Sequence, residues 1–500
     1  MIDLTLADVA RLTGGRLHGA TGDERVTGSV EFDSRAVTPG GLFVALPGER
    51  VDGHDFVAAA RASGAAGVLA AREVDAEGRI PTVIVPPVHA VSSSYVLAAD
   101  TEGAGAGVLA ALAVLARHVV DTLVADGLLV VGITGSSGKT STKDLTAHLL
   151  EDLGETVAPP GSFNNELGPP WTALRATRTT RHLVLELSAR GPGHVAALCR
   201  VAPPRVGVVL NVGSAHLGEF GSREAIAQAK GELVEALPAG PAGGVAVLGA
   251  DDPVVAAMAR RTDARVVHAG RAPEAQVRAA DVALDDAGRA TFRLVTPVGE
   301  APVTLGLHGA HHVDNALAAA AVALEAGLDV ASVAARLGSA APRSRWRMEL
   351  TERADGVRVL NDAYNANPES MRAALATLGA MDGRHTAVLG VMAELGDDTS
   401  RAHTEIGREV ARTGVERLVV VGSGDAVARL HEAAAGAGVD AHLVPDADAA
   451  AELVAAGVAP GDVVLVKASR SAGLERVAHA LVNGGRAAER SRTIDGGGAR

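Results

Sequence analysis

A glycine-rich stretch, GITGSSGKTSTKD at 132–144, indicates the fold of the region around it. The apolar run LLVVGI leads into it, and the helical segment KTSTKDLTAHLLEDLG continues from Lys139. The residues between this predicted strand and helix are TGSSGKT, at 134–140. Glycines there allow backbone N–H groups to turn inward, beside the positive end of the helix dipole. This context is typical of a loop that binds phosphate.

The spacing within the loop differs from that of the most common phosphate-binding motif. G-x-x-x-x-G-K-[ST] would place a glycine at Ile133, whereas the turn glycine here is Gly135, which gives T-G-x-x-G-K-T. We expect Lys139 to reach the β- and γ-phosphates of a nucleotide and Thr140 to ligate Mg²⁺. The loop alone predicts only a nucleotide site, because kinases, transporters, GTPases and ligases all contain one.

Composition limits the classes of protein that the chain can represent. Its 500 residues are too many for one core and predict two to four domains. A formal net charge of -13 argues against a nucleic-acid partner, which favours a basic face. The single cysteine, Cys199, excludes a disulfide within the chain.

Hydropathy argues against membrane insertion. The N-terminal segment lacks an apolar signal core. The longest apolar run, GVLAALAVLA at 107–116, has about half of the ~20 residues that a membrane span needs. We therefore expect a cytoplasmic protein with no membrane span.

Continuously apolar strands alternate with helical segments from Leu128 onward, which predicts an α/β fold with parallel sheets buried on both faces. A second α/β pattern starts near Arg343, and we predict three domains in all. The predicted order is an N-terminal α/β domain (1–92), a linker and connecting helix (93–126), a central phosphate-loop domain with a parallel sheet (127–341), a C-terminal Rossmann-like α/β domain (342–485) and a disordered tail (486–500).

A second group of polar residues lies near strand ends. Glu186 ends HLVLEL, His216 follows RVGVVLNVG, and Lys230 lies in the helical segment IAQAKGELVEAL. The carboxyl ends of parallel strands meet at one edge of a sheet, so we expect this group beside the phosphate loop. A carboxylate and an imidazole there can hold Mg²⁺. Each residue also has a purely structural interpretation, as a neighbour of a helix cap, a loop residue and a solvated helical lysine.

Taken together, T-G-x-x-G-K-T, the strand-end glutamate, the N-V-G…A-H stretch and A-K-x-E resemble the Mur ligases. These three-domain, ATP-dependent enzymes add amino acids to the UDP-N-acetylmuramoyl precursor of peptidoglycan, the bacterial cell-wall polymer. The resemblance extends to about residue 482 and is closest to the member that adds D-alanyl-D-alanine. The stretches that carry it are GSFNNELGPP (161–170), NDAYNANPESMRAAL (361–375), VLGVMAELG (388–396) with His403, VKASRS (466–471), DSR (33–35), GGLFVALPGE (40–49) and DGHDF (52–56).

The resemblance implies an ATP site with two Mg²⁺ ions. Thr140 and Glu186 are expected to hold the first ion, and His216 contributes to the second. Lys230 is expected to be carbamylated by CO₂ into a metal ligand, which needs a neutral amine and hence a depressed pKa. Lys139, Glu186, His216 and Lys230 are the implied catalytic residues. The implied ATP-binding residues are Thr134, Gly135, Ser136, Ser137, Gly138, Lys139, Thr140, Asn315 at the adenine, and Arg347 and Asp362 from the third domain.

The implied reaction joins D-alanyl-D-alanine to UDP-N-acetylmuramoyl-tripeptide through an acyl phosphate, in a monomeric enzyme whose partners are small molecules. Another amide ligase of the superfamily, such as the diaminopimelate-adding one, or a paralogue with a different amine substrate, remains an alternative. A phosphate-loop kinase or a nucleotide-gated interaction protein is a further alternative from a different class. The implied substrate residues are Asp33, Ser34, Arg35, Asn164, Asn165 and Glu166 for the UDP-linked substrate, and Tyr364, Asn365, Asn367, Lys467, Ser469 and Arg470 for the dipeptide.

Five positions depart from the pattern of the family. Gly249 replaces a usual asparagine, while Ala310 and His312 replace arginine and asparagine. Trp346 and Ala468 each replace a usual glycine. These departures concern nucleotide contacts and loop geometry rather than the phosphate-loop set. The stretch 89–107 is also longer than is typical of the family.

Overall fold

Runs of aliphatic and β-branched residues form three main sheets, each packed against helices, in a computed structural model of the chain. The structure describes residues 1–48, 51–74, 80–89, 100–213 and 217–484. The predicted α/β fold with three domains is confirmed. Some predicted segments lie outside the described residues. They are residues 93–99 of the predicted linker, residues 90–99 of the stretch 89–107, and the predicted tail (486–500).

The N-terminal region contains short strands and two helices. They are β1 (Leu4–Thr5), α1 (Leu6–Thr13), β2 (Arg16–His18), β3 (Arg25–Val26), β4 (Val30–Glu31), β5 (Leu42–Ala45), α2 (Val57–Ala62), β6 (Gly67–Ala70) and β7 (Thr82–Ile84). The main sheet has the order β2-β7-β6-β5-β4, in which only β2 is antiparallel to its neighbour. Strands β1 and β3 form a separate antiparallel pair.

Helix α3 (Ala104–Ala125) connects this region to the next. Its 22 residues have a mean hydropathy of 1.8 over the most apolar window, so length and composition alone would allow it to cross a membrane. In this structure, however, Val108, Leu112, Leu115 and Val119 are fully or almost fully buried in a core that the first two domains share. Packing inside the molecule thus accounts for one face of α3, while Val114 and Val124 are exposed.

The central region has a nine-stranded sheet. Its strands are β8 (Leu129–Thr134), β9 (Thr156–Val157), β10 (His182–Glu186), β11 (Val206–Val209), β12 (Gly240–Gly249), β13 (Ala264–Gly270), β14 (Val277–Leu284), β15 (Arg289–Thr296) and β16 (Gly299–His308), in the order β16-β15-β14-β13-β12-β11-β8-β10-β9. All pairs from β9 to β14 are parallel, as predicted. Strands β15 and β16 add an antiparallel edge that the sequence analysis did not anticipate.

Helices pack against this sheet, and the first of them begins at the phosphate loop. They are α4 (Lys139–Leu150), α5 (Gly168–Ala173), α6 (His194–Val201), α7 (Leu217–Phe220), α8 (Arg223–Glu235), α9 (Pro253–Ala256), α10 (His311–Glu325) and α11 (Val330–Gly338). Helix α10 is buried along most of its length and packs against α4. Its run of alanines allows the two helices to approach closely.

The C-terminal region is a second doubly wound sheet. Its elements are β17 (Glu349–Glu352), β18 (Arg358–Asn361), α12 (Pro368–Gly379), β19 (His385–Leu389), α13 (Thr399–Arg412), β20 (Arg417–Val421), α14 (Asp425–Gly436), β21 (Asp440–Val444), α15 (Ala447–Ala455) and β22 (Val463–Lys467). The order is β17-β18-β22-β19-β20-β21, and only β17 is antiparallel to its neighbour. The carboxyl ends of β18, β22 and β19 are therefore adjacent.

Side-chain contacts join neighbouring regions, among them an aromatic cluster and an ion pair. Phe32, Phe163 and Trp171 form an aromatic cluster, with ring centroids 4.8–6.1 Å apart, between the first and second regions. Arg343 donates two hydrogen bonds of 2.6 Å to the carboxylate of Glu151, between the central region and the segment that leads to the third.

Candidate active site

The phosphate loop follows β8 and is fixed from beneath by a neighbouring strand end. The backbone N–H groups of Ser136 and Ser137 donate to Oδ1 of Asn211, at 3.0 and 2.9 Å. Lys139 Nζ donates to the Gly135 carbonyl at 2.8 Å, so the lysine lies folded over its own loop. The loop is thus organised by protein contacts, and the Lys139 ammonium keeps two further donors for a phosphate.

Gly138 ends the loop in the left-handed region, with φ of +81°. A Cβ at this position would lie 2.3 Å from Asn315 Oδ1, so a larger residue is excluded by contact as well as by conformation. The same Oδ1 accepts a hydrogen bond from Thr142 Oγ1 at 3.2 Å. Asn315, predicted to contact adenine, therefore lies directly against the base of the phosphate loop.

Glu186 ends β10 and is almost completely buried beside this loop. Thr140 Oγ1 donates to one of its carboxylate oxygens at 2.8 Å. Ser162 Oγ and Asn164 Nδ2 donate to the other, at 2.8 and 2.6 Å. Burial acts to raise the pKa of Glu186, but the positive charges of Lys139 and Arg347 and these hydrogen bonds outweigh it, and the pKa lies below its usual value.

These residues fit the first predicted Mg²⁺ site. Mg²⁺ prefers oxygen ligands, and proteins commonly supply one or two carboxylates while phosphates and water complete the shell. An ionised Glu186 and the Thr140 hydroxyl meet that description. Across the described residues, no group of three or more His, Cys, Asp or Glu side chains could hold a metal on its own. A metal here would accordingly depend on oxygens of the nucleotide.

Lys230 lies on α8, and only 4% of its surface is exposed. Burial, with a smaller effect from the positive charge of Lys139, lowers its pKa well below the usual value. Two residues further on, Glu232 accepts hydrogen bonds from the N–H groups of Gly193 (2.5 Å) and Ala196 (3.0 Å) and so ties α8 to the start of α6. His216 falls outside the described residues.

A cleft of about 920 Å³ lies between the central and C-terminal sheets and collects most of the predicted site. Thr134, the last residue of β8, and Gly135, which follows it, do not line the cleft. Lys230 and the segment 33–35 do not line it either. The predicted residues that line the cleft are Ser136, Ser137, Gly138, Lys139, Thr140, Asn164, Asn165, Glu166, Glu186, Asn315, Arg347, Asp362, Tyr364, Asn365, Asn367, Lys467, Ser469 and Arg470.

On the C-terminal side of the cleft, the residues predicted to bind the nucleotide and the dipeptide contact one another. Lys467, which is 2% exposed, lies 2.5 Å from the Asp362 carboxylate and donates to the Asn365 carbonyl at 2.8 Å. The Arg347 guanidinium stacks 4.1 Å above the ring of Tyr364. Because its charge affects the pKa of Glu186, Arg347 reaches the central site electrostatically.

Two predicted substrate residues also have structural roles. Asn367 caps α12, where its Oδ1 accepts the Ser370 N–H at 2.8 Å. Ser469 Oγ accepts the N–H of Ala393 at 2.9 Å, which ties the loop after β22 to the loop after β19. These contacts shape the cleft wall whether or not a dipeptide is bound.

The segment 33–35 follows β4 in the N-terminal region. Arg35 donates to both carboxylate oxygens of Asp33, at 2.9 and 2.7 Å, and this pairing lowers the pKa of Asp33 to about 2. The segment adjoins Phe32 and its aromatic cluster with Phe163, one residue before Asn164. The predicted UDP-side residues of the first and second regions are therefore linked through this cluster.

Three residues that organise the site were not predicted from the sequence. Asn211 lies in the N-V-G stretch and Ser162 in GSFNNELGPP, so both fall within motifs that carry the family resemblance. Lys143 is 1% exposed and donates to the carbonyls of Pro159 (2.8 Å) and Gly161 (3.0 Å). These bonds fix the backbone segment that precedes Ser162. A buried lysine in a helix carries no distinctive sequence pattern, so only the structure reveals this contact.

Contacts account for several departures from the family pattern. A Cβ at Gly249 would lie 2.2 Å from the Leu210 carbonyl oxygen, so the usual asparagine cannot fit this backbone. His312 stacks on His311 with ring centroids 4.2 Å apart and makes a 3.3 Å hydrogen bond to Asn315. Ala468 is fully buried in the C-terminal core, and Ala310 directly precedes α10.

Comparison with known proteins adds independent support. Three family models match: the Mur ligase family catalytic domain over 27–119, the Mur ligase middle domain over 133–323 and the Mur ligase glutamate ligase domain over 346–470. A curated UDP-N-acetylmuramoyl-tripeptide--D-alanyl-D-alanine ligase from Mycobacterium tuberculosis (strain ATCC 25618 / H37Rv) is 55% identical, over 96% of this chain and 98% of its own length.

Two solved structures agree with the sequence comparison. MurF from Acinetobacter baumannii superposes with a TM-score of 0.80 at 29% identity, over 96% of this chain and 99% of its own. MurF ligase from Thermotoga maritima, in complex with ADP, gives a TM-score of 0.72 at 29% identity, over 92% and 98%. The chain belongs to the Mur ligase family.

Proposed function

We propose that this enzyme joins D-alanyl-D-alanine to UDP-N-acetylmuramoyl-tripeptide at the expense of ATP and yields the pentapeptide precursor of peptidoglycan. One observation carries the proposal: the phosphate loop and the buried Glu186 face Tyr364, Asn365 and Lys467 across a single cleft. The 55% identity to the Mycobacterium tuberculosis ligase over nearly the whole chain supports the same substrate class.

The chemistry divides into two displacements. A carboxylate oxygen of the tripeptide attacks the γ-phosphorus, the bond to the β,γ-bridging oxygen breaks, and ADP leaves. The amine of the dipeptide then attacks the acyl carbon, loses a proton, and inorganic phosphate departs with the mixed-anhydride oxygen. Two anions must approach in the first displacement, and the loop N–H groups, Lys139 and Arg347 supply positive potential to offset their repulsion.

We propose that Thr140 and Glu186 hold one Mg²⁺, which when bound would neutralise phosphate charge. A second Mg²⁺ with His216 and Lys230, and the carbamylation of Lys230, remain predictions. The lowered pKa of Lys230 favours carbamylation, because only a neutral amine adds CO₂. Enzyme equilibrated with ¹³C-bicarbonate should show a carbamate carbon resonance that disappears in Lys230→Met. A wild-type spectrum without that resonance would remove the prediction.

We assign the UDP-linked end to the N-terminal region, the nucleotide to the central region and the dipeptide to the C-terminal region. The predicted site residues named above are proposed to bind these three substrates. We also propose that the enzyme is cytoplasmic and monomeric. Size-exclusion chromatography with light scattering tests the oligomeric state. Domain closure around the cleft would then exclude water, which otherwise hydrolyses an acyl phosphate.

An ADP-release assay tests the activity. With UDP-N-acetylmuramoyl-tripeptide and ATP, release is expected to depend on D-alanyl-D-alanine and to fail with diaminopimelate and UDP-N-acetylmuramoyl-dipeptide. Lys139→Ala should abolish release while the circular dichroism spectrum is unchanged. Arg178→Ala, which removes an exposed cation paired with Asp126, serves as the matched control and should retain activity.

The alternatives give different results in the same assay. A diaminopimelate-adding ligase would release ADP with the second substrate pair only. A kinase would release ADP without any dipeptide, and an interaction protein would release none. Full turnover by a folded Lys139→Ala variant would contradict the assignment of the phosphate loop.

A further inference from the structure

We propose that Trp346 is a positioning residue that holds the Arg470 guanidinium at the cleft, where it meets the carboxylate of the incoming D-alanyl-D-alanine. The inference rests on the proposed function and extends it to a residue outside the cleft lining. The Cζ atom of Arg470 lies 4.3 Å from the centre of the Trp346 ring, well within the range of a cation–π contact.

A second contact restrains Arg470 from another direction. Its Nη1 lies 2.7 Å from Oε1 of Glu475, while 51% of its side-chain surface stays exposed and the residue lines the cleft. An arginine presents a planar fork that matches a carboxylate in two parallel hydrogen bonds. Restricting the plane of the guanidinium before binding lowers the entropy lost when a carboxylate docks.

The backbone of Trp346 indicates that this arrangement has a cost. Its φ is +59°, in the left-handed region that large residues avoid. The conformation is held by two hydrogen bonds: the Trp346 N–H donates to Glu349 Oε2 at 3.1 Å, and its carbonyl accepts the Tyr364 N–H at 3.2 Å. A glycine would adopt this backbone without strain, so the indole ring has a role that the fold itself does not require.

Arg347, the residue after Trp346, contacts a different part of the site. Arg347 stacks on Tyr364 and lines a small pocket with Ser141 and Asp144 of α4, which places it beside the phosphate-loop helix. Trp346 contacts Arg470, which follows β22 in the C-terminal region and lines the cleft near its carboxyl end. Consecutive residues thus act on different substrates, and loss of the Trp346 ring should affect only one of them.

Steady-state kinetics of Trp346→Gly test the proposal without damage to the fold. The substitution removes the ring and relieves the left-handed strain, so thermal stability should not fall. The KM for D-alanyl-D-alanine should rise roughly three- to tenfold, the change expected from loss of one cation–π contact. The KM for ATP should stay within about twofold, and Trp346→Phe should recover part of the loss because phenylalanine retains a weaker π face.

Asp281→Gly is the matched control. Asp281 also has a left-handed φ, of +58°, but it is exposed, lies in β14 and does not line the cleft. Asp281→Gly should leave both KM values unchanged. A KM for the dipeptide within twofold of wild type in Trp346→Gly, or an equal rise in both KM values, would overturn the inference while leaving the proposed function in place. Wild-type enzyme that needs no dipeptide for ADP release would remove both.

Fluorescence offers a direct second test, because the chain has only two tryptophans. In Trp171→Phe, Trp346 is the sole indole fluorophore. Saturation with D-alanyl-D-alanine, in the presence of ADP and tripeptide substrate, should change its emission as Arg470 shifts toward the carboxylate. Arg470→Met should abolish this change. An emission spectrum insensitive to dipeptide under saturating conditions would count against contact between Trp346 and the binding residue.

Discussion

Thr140 Oγ1 donates a 2.8 Å hydrogen bond to Glu186, which joins the first turn of the phosphate-loop helix to the end of the neighbouring strand. Parallel pairing of β8 with β10 creates this relationship, since it brings both elements to the same edge of the sheet. The carboxylate is buried yet keeps a lowered pKa, because two cations lie nearby. Loop, acid and cations therefore form one electrostatic unit.

Glu186→Gln should weaken Mg²⁺ binding and slow the reaction. The amide preserves shape and burial but removes the negative charge, so we expect a loss of kcat of about 10²-fold or more and a higher Mg²⁺ concentration for half-maximal rate. ADP release measured across a Mg²⁺ titration checks both. Glu235→Gln, on the exposed end of α8, is the control and should behave as wild type. An unchanged Mg²⁺ dependence in Glu186→Gln would exclude this carboxylate from the metal site.

Gly138→Ala should disable nucleotide binding. The new Cβ would lie 2.3 Å from Asn315 Oδ1 and would also strain a φ of +81°. We expect ADP affinity, measured by calorimetry, to fall at least about tenfold, since the loop N–H groups would be displaced from the phosphates. Gly127→Ala is the control, because φ is +97° there and no atom lies within 4 Å. If both substitutions affect ADP affinity equally, the contact with Asn315 is irrelevant.

Sequence patterns predicted the parts of the fold that depend on buried, continuous apolar runs. The strands around the phosphate loop and the α/β alternation after Arg343 were of this kind. The antiparallel edge of β15 and β16 was missed because its residues alternate between buried and exposed, and the turn at 297–298 between the strands resembles a loop. Such one-sided strands lack the apolar run that marks a buried strand.

The site was only partly accessible from sequence for a different reason. Glu186 lies at a strand end, where topology alone brings it to the loop. The contacts of Lys143 with two backbone carbonyls depend on where a separate segment folds back, and no local pattern encodes this. Likewise, the pairing of Lys467, the last residue of β22, with Asp362, directly after β18, joins residues 105 positions apart.

That buried pair supports a double-mutant prediction. Lys467→Met should leave the Asp362 carboxylate, whose side chain is 14% exposed, without its cation and destabilise the C-terminal region by about 1–3 kcal/mol. Asp362→Asn should act similarly, because the Lys467 ammonium keeps its hydrogen bond to the Asn365 carbonyl but loses its counter-charge. The double variant should be less destabilised than the sum of the single ones, because neither charge remains. Urea unfolding followed by circular dichroism measures the three values, and strict additivity would show that the two side chains do not interact.

The N-terminal region should show a specific dependence on acid. The Asp52 carboxylate accepts hydrogen bonds from the His54 N–H (2.9 Å), His54 Nδ1 (2.6 Å) and Arg72 (3.0 Å). Burial acts to raise the pKa of Asp52, but these bonds lower it from 3.8 to about 2. A carboxylate with a folded pKa below its unfolded value stabilises the protein above pH ~4, and this contribution is lost as the pH falls toward 2.

The difference in unfolding midpoint between wild type and Asp52→Asn should therefore be largest near neutral pH and shrink between pH ~4 and 2. Urea unfolding followed by circular dichroism at several pH values in that window checks the trend. Asp23→Asn, on an exposed turn of the same region, provides the control for loss of one formal charge. A difference that stays constant down to pH 2 would show that the Asp52 interactions do not depend on its ionisation. A difference that grows with acid would reverse the sign of the pKa shift and contradict the hydrogen-bond geometry at its origin.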